Sequence, residues 1–226
     1  MVIKICGLRL PAHARAAAKA GADMIGLVFA SSKRRVSLDE AAALLQVLRQ
    51  ESLTASPAIV GLFVNAQAAT INATVAALGL DLVQLSGDES TDLLAALHGP
   101  RILKSIRLDG SPLEQEWIEL ARQSESCWLR ETAVGEHWQP AVRLLVDGHV
   151  AGAYGGTGAR ANWHSAAALA KQQPIMLAGG LSADNVAAAI SAVRPWGIDV
   201  SSGVETDGVK DVAKIEAFIG AARSIW

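Results

Sequence analysis

Gly197-Ile198-Asp199-Val200-Ser201-Ser202-Gly203-Val204-Glu205 holds a helix end, a strand and a glycine turn in nine residues. Its opening tripeptide pattern repeats. Gly21-Ala22-Asp23 and Gly79-Leu80-Asp81 also separate a helical pattern from an apolar run. A glycine suits the left-handed position that ends a helix, and the aspartate then sits where the next strand begins. Its closing glycine turn has a counterpart in Leu177-Ala178-Gly179-Gly180, which ends another apolar run just upstream.

Working outward from this stretch, short apolar runs recur at 2–6, 24–29, 58–64, 82–85, 102–106, 144–146, 175–177 and 198–200. Helical patterns follow them at about 11–20, 38–50, 67–78, 89–97, 112–123, 162–171, 182–193 and 209–222. The runs do not alternate polar with apolar residues, as expected of parallel strands covered on both faces. Eight strand–helix units in 226 residues predict one α/β domain over 1–226, a closed (β/α)8 TIM barrel. An open doubly wound sheet is the alternative, but no dinucleotide-binding fingerprint follows the first run. The stretch 124–142 fits this scheme least. Cys127-Trp128-Leu129 resembles a ninth strand, yet an extended connection between helix five and strand six keeps the count at eight. Trp128 and Trp138 are then expected to cover the barrel or an interface.

Composition narrows the class. The chain is 51% hydrophobic with a formal net charge of -2, which suits a globular protein and offers no field for nucleic acid or an anionic membrane. The cysteines, Cys6 and Cys127, show no metal-binding spacing, and a reducing, cytoplasmic setting is the simpler expectation. The N-terminal run is too short for a signal peptide, and no apolar run is long enough to span a membrane. No HExxH motif or carboxylate cluster at strand ends indicates a metal.

In a barrel of this type, chemistry gathers at the C-terminal ends of the strands. That rule selects Cys6, Phe29 with its loop, Asn65, Gln84, Ser86, Lys104, Arg107, Asp147, Gly179-Gly180 and Ser201-Ser202-Gly203. Cys6 can serve as a base or nucleophile, since a free thiol titrates near pH ~8.5; it can equally be an inert buried residue. Asp147, directly after an apolar strand, needs water, a partner or a ligand, or it caps the next loop. The paired turns Gly179-Gly180 and Ser201-Ser202-Gly203 suit a phosphate, held by main-chain N–H groups and following helix N-termini. Gly152, Gly155, Gly156 and Gly158 crowd the loop after strand six, as in a lid or an ordinary flexible loop. Ser32-Lys33-Arg34-Arg35 is a solvated charge run or the source of an arginine for a substrate carboxylate. No histidine falls at a strand end, which weakens any Ser-His-Asp reading.

These residues carry a family resemblance. Lys4-Ile5-Cys6-Gly7, Gly26-Leu27-Val28-Phe29, Ser32-Lys33-Arg34, Val60-Gly61-Leu62-Phe63-Val64-Asn65, Val83-Gln84-Leu85 and Leu145-Val146-Asp147 stand in order. Gly155-Gly156-Thr157-Gly158 with Asn162-Trp163, Leu177-Ala178-Gly179-Gly180-Leu181 and the stretch 199–205 complete the series. Across nearly its whole length the chain resembles the N-(5'-phosphoribosyl)anthranilate isomerases of tryptophan biosynthesis. The resemblance implies an Amadori rearrangement without metal or organic cofactor. Cys6 would be the general base and Asp147 the general acid. Arg34, Gln84, Gly156 and Gly158 would bind substrate, and Gly179, Gly180, Ser201, Ser202 and Gly203 its phosphate. The implied partner is a phosphorylated small molecule, on a monomer or homodimer. Such chemistry asks for a lowered thiol pKa and a raised carboxyl pKa.

Two departures stand out: Ser86 occupies the place of the family's common histidine after strand four, and the 124–142 connection is long. Two rival functions remain. A sugar-phosphate isomerase of histidine biosynthesis shares the barrel and the Amadori chemistry, but looks to carry aspartate where this chain has Cys6. A non-catalytic barrel that binds a phosphorylated metabolite would not need both Cys6 and Asp147.

Overall fold

The computed structural model describes residues 1–51, 56–124, 141–148 and 161–225. Eight parallel strands close into a barrel in sequence order. They are β1 (Val2–Cys6), β2 (Met24–Val28), β3 (Ala58–Phe63), β4 (Leu82–Leu85), β5 (Arg101–Ile106), β6 (Val142–Val146), β7 (Ile175–Leu177) and β8 (Gly197–Val200). The ring shuts where β1 pairs with β8, with Lys4 opposite Asp199.

Helices α1 (Pro11–Lys19), α2 (Leu38–Gln50), α3 (Ala68–Leu78), α4 (Pro112–Gln123), α5 (Trp163–Ala170), α6 (Val186–Val193) and α7 (Val212–Arg223) cover the outside. Local sequence sets their ends. Ser37 and Glu40 form a reciprocal capping box at the start of α2, and Pro112 follows the Ser111 cap of α4. Gly79 ends α3 in the left-handed conformation anticipated from the repeat.

Strands β2 to β7 each feed two cores. Met24, Val60, Leu82, Leu103, Leu145 and Met176 fill the barrel, while alternate residues such as Ile25, Val83, Ile102 and Leu144 pack against the helices. Burying one such side chain contributes about 1.5–3 kcal/mol, so both layers support the ring.

The structure moves several predicted boundaries. β6 starts at Val142 rather than 144, because Arg143 is buried in the strand with its guanidinium 4.2 Å from the Trp196 ring centroid. Ser124 fastens that strand: its hydroxyl accepts from the Val142 N–H at 3.1 Å. The remainder of the 124–142 connection, with Cys127, Trp128 and Trp138, lies outside the described residues. The fourth helical pattern is a 3₁₀ helix, Thr91–Ala96. The last pattern does not begin at 209. Ser202–Val204 form a 3₁₀ turn, then β9 (Glu205–Thr206) and β10 (Val209–Lys210) pair as a small antiparallel hairpin before α7. Gly197 also departs from its repeat. It lies within β8, and Arg194 takes the left-handed cap of α6 instead.

Candidate active site

Side chains alternate along β1, so Ile3 and Ile5 face the helices while Lys4 and Cys6 face the barrel interior. Cys6 is buried and pairs with Gly26 across β1–β2. A Cβ at Gly26 would stand 2.8 Å from Cys6 Sγ and 3.2 Å from Lys4 Nζ, so the missing side chain makes room for both. Burial pushes the Cys6 thiol above its ordinary value; Lys4 and Lys210 oppose that, and Asp199 adds to it. A lowered thiol is therefore not what the site produces: desolvation outweighs the two cations.

Asp147 follows β6. Its Oδ1 accepts the Gly148 N–H at 2.7 Å. Burial lifts its carboxyl to about 6, against the Gly148 bond and with help from the charge of Asp199. The raised acid agrees with the sequence expectation. Between these groups lies an ion pair that the strand-end rule passed over, with Lys4 Nζ 2.8 Å from Asp199 Oδ1. Burial is the largest single influence and works against the Lys4 charge, but Asp199 and Cys6 together outweigh it and lift the ammonium above its ordinary value.

Arg34 arrives from the loop after β2 and crosses over Gly7. A Cβ on Gly7 would stand 2.6 Å from Arg34 Cδ, and the glycine has φ +76°. The guanidinium grips Glu205 through two bonds, Nε to Oε1 at 2.6 Å and Nη2 to Oε2 at 2.9 Å. Lys210 in β10 donates to Glu205 Oε1 at 2.8 Å and to the Ser201 carbonyl at 2.7 Å. Burial alone would raise Glu205, but Arg34 and Lys210 hold it at about 2. Ser201 Oγ donates to the Cys6 carbonyl at 3.1 Å, which joins the ends of β1 and β8. Glu205 and Lys210 thus bring Arg34, Ser201 and Cys6 together. A charged residue just beyond a glycine turn was the available signal for Glu205, and Asp207-Gly208, both at positive φ, was the hairpin signal for the return of Lys210.

The two glycine turns meet directly. Gly179 and Gly180 take φ +80° and +63°. Gly203 lies against the Leu181 carbonyl so closely that any Cβ would collide with it. Both turns, with Ser201 and Ser202, line one pocket that also contains Asp147 and Asp199. Asn185 fixes the first turn: its Nδ2 donates to the Gly180 carbonyl at 2.8 Å and its Oδ1 accepts from Ser182 N at 3.0 Å. That turn delays α6 until Val186, four residues after the predicted start.

Opposite, Gln84 Nε2 donates to Ser86 Oγ at 3.0 Å and Ser105 Oγ at 3.3 Å, and the two hydroxyls are 3.0 Å apart. Ser86 is therefore a member of an amide–hydroxyl cluster facing the barrel mouth.

Other strand-end candidates brace the scaffold. Lys104 is buried in an ion pair with Glu89, whose Oε1 accepts the N–H groups of Asn65 and Gly87. Arg107 N and Leu108 N donate to Glu114, which shapes the loop after β5. Phe29 stacks on Phe63 with centroids 5.3 Å apart. Gly156 and Gly158, with the rest of their glycine-rich loop, lie outside the described residues. Among the described residues no group of three His, Cys, Asp or Glu side chains is arranged for a metal, and no helix is long and apolar enough to cross a membrane.

Residues 3–221 match the profile of the family described as N-(5'phosphoribosyl)anthranilate (PRA) isomerase. The chain is 47% identical over 224 residues to the N-(5'-phosphoribosyl)anthranilate isomerase of Roseiflexus sp. strain RS-1, covering 98% of this chain and 97% of that one. It is 42% identical to the enzyme of Pseudomonas putida strain W619, covering 97% and 96%. Among solved structures it resembles phosphoribosyl anthranilate isomerase from Thermotoga maritima, with TM-score 0.79 and 27% identity over 99% of this chain and 100% of that one. A phosphoribosyl anthranilate isomerase in complex with reduced 1-(o-carboxyphenylamino)-1-deoxyribulose 5-phosphate superposes with TM-score 0.76 at 27% identity, over 99% and 100% of the two chains.

Proposed function

The chain belongs to the N-(5'-phosphoribosyl)anthranilate isomerase family, and from that premise we propose that Cys6 and Asp147 are its base and acid. The reaction is the Amadori rearrangement of N-(5-phospho-β-D-ribosyl)anthranilate to 1-(2-carboxyphenylamino)-1-deoxy-D-ribulose 5-phosphate, in tryptophan biosynthesis. The observation that carries the assignment is the Asp147 carboxyl, lifted to about 6 in a pocket it shares with the two glycine turns. An acid so placed retains a protonated fraction near neutrality.

In this reading, protonated Asp147 donates to the furanose ring oxygen. The C1–O bond breaks as the amine nitrogen lone pair forms the protonated Schiff base. Ionised Cys6 then takes the proton from C2, and the C–H electron pair becomes the C1–C2 double bond of an enolamine. Tautomerisation moves the hydroxyl proton from C2 and places one on C1, giving the ketose. The turns at Gly179-Gly180 and Ser201-Ser202-Gly203 hold the phosphate, a remote grip that aligns the reacting carbons. Arg34 pairs with the anthranilate carboxylate, held by Glu205 in the orientation it already has. Gln84 contacts the substrate from β4, and Gly156 and Gly158 supply main chain from the loop after β6. The partner is this phosphorylated metabolite alone, on a cytoplasmic monomer or homodimer.

The acid titrates below the base, since Asp147 sits at about 6 and Cys6 above its ordinary value. Only the minority form with ionised Cys6 and protonated Asp147 reacts. The pH profile is then flat between two limbs, the lower belonging to Asp147 and the upper to Cys6. Cys6→Ala and Asp147→Asn should each lose at least about a hundredfold in kcat while still binding inorganic phosphate. Near-normal turnover in both variants would refute the assignment.

A further inference from the structure

The chemistry above gives no task to the ion pair inside the barrel. Lys4 is fully buried, and its Nζ lies 2.8 Å from Asp199 Oδ1. Removing two ions from water costs several kcal/mol each, and well-packed apolar residues commonly serve stability as well or better. The two ends of the pair face different groups. Lys4 Nζ and Cys6 Sγ both crowd the space above Gly26, 3.2 and 2.8 Å from where a Cβ would stand. Asp199 and Asp147 line the same pocket beside Gly179-Gly180.

We propose that the Lys4–Asp199 pair is an oriented dipole that sets the two protonation states of the reaction. Its ammonium end supports the Cys6 thiolate, and its carboxylate end keeps Asp147 protonated. Both are positioning residues, acting through Cys6 and Asp147, and the inference rests on those two being base and acid. The electrostatic ranking agrees with the geometry. At Cys6 the lowering influence of Lys4 exceeds the raising influence of Asp199; at Asp147 the order reverses. Lys210 in β10 also favours the thiolate, while Arg107 after β5 and the Gly148 N–H favour the ionised acid. Register makes the arrangement possible. Lys4 and Asp199 are directly paired across β1–β8, and Cys6 is the next inward residue on β1. The pair therefore lies beneath the reacting groups.

The test is a thiol titration by ultraviolet absorbance in the full chain carrying Cys127→Ser, which leaves Cys6 as the sole thiol. Lys4→Met should raise the Cys6 midpoint by about one pH unit or more and lower the activity plateau about tenfold per unit. Asp199→Asn should move the lower limb of the kcat/KM profile to more acid pH. The double variant Lys4→Met/Asp199→Asn leaves no unpaired buried charge. It should still raise the thiol midpoint, which keeps the test valid if a single variant fails to fold. An unmoved midpoint in a variant with native circular dichroism overturns the proposal. The titration needs no turnover, so its result is separable from the test of Cys6 as base. If Cys6→Ala abolishes turnover but the midpoint stays fixed, the dipole fails alone.

Discussion

The N-terminal rim and the interior of this barrel use one tripeptide pattern for opposite purposes. At the rim, Asp23 and Asp81 stand one residue before β2 and β4. Each accepts an N–H from the neighbouring strand, Ile3 at 2.8 Å and Ile59 at 2.7 Å. In Gly197-Ile198-Asp199 the aspartate is instead the third residue of β8, turned inward onto Lys4. The letters match, but the offset from the strand differs. Because side chains alternate across a sheet, offset decides whether a carboxylate ties a loop to a strand or charges the interior. The contrast follows the general division of such barrels, with stability at one face and chemistry at the other.

Gly203→Ala challenges that division most severely. It lies at the chemical face, yet its new Cβ collides with the Leu181 carbonyl and must force the loops after β7 and β8 apart. A stability loss of about 3 kcal/mol in urea unfolding is expected, with a raised KM. Unchanged stability and KM would mean the two turns are not locked together.

Acid titration separates two carboxylates next. Glu205 is held at about 2, below its ordinary 4.5, so its contribution is present above pH 4.5 and is lost as pH falls toward 2. Asp147 has the opposite sign: its folded pKa is raised from 3.8 to about 6, so it costs stability increasingly as pH rises through that window. Each effect is at most about 3 kcal/mol. Glu205→Gln should flatten the stability curve below pH 4.5, and Asp147→Asn should flatten it between 3.8 and 6. Curves superimposable on the parent's would show that burial and pairing do not act on these groups as described.

Smaller effects belong to the rim. Asp81→Ala removes one acceptor for Ile59 N and should cost about 1 kcal/mol with turnover unchanged. Arg223→Ala, which breaks a half-exposed pair with Asp23, should cost less than about 1 kcal/mol by thermal unfolding. A fall in kcat for either variant would erase the contrast between the two regions.

The ring of eight strands was legible because each strand is buried on both faces and so reads as an apolar run. Cys6, Asp147 and the two glycine turns were legible because they end those runs. The ion pair was not: Lys4 and Asp199 are far apart in sequence and adjacent only through barrel closure. A signal was present, since a charge inside a strand buried on both faces demands a partner. Arg143 gave the same signal and concealed the start of β6. Lys210 was missed because β10 lies within the apparent helical pattern that starts at 209, and Glu205 because its partner Arg34 is 171 residues away in sequence. The delayed starts of α6 and α7 have a similar origin. Side-chain bonds by Asn185 fix a turn before α6, and β9–β10 pairing precedes α7.

The most direct test follows the loss of phosphoribosylanthranilate fluorescence with Cys6→Ala beside Asp81→Ala in one assay. The interior variant should lose at least about a hundredfold in kcat with its unfolding midpoint nearly unchanged, while the rim variant keeps its kcat and unfolds earlier. Turnover retained by Cys6→Ala, or lost by Asp81→Ala, would contradict the account.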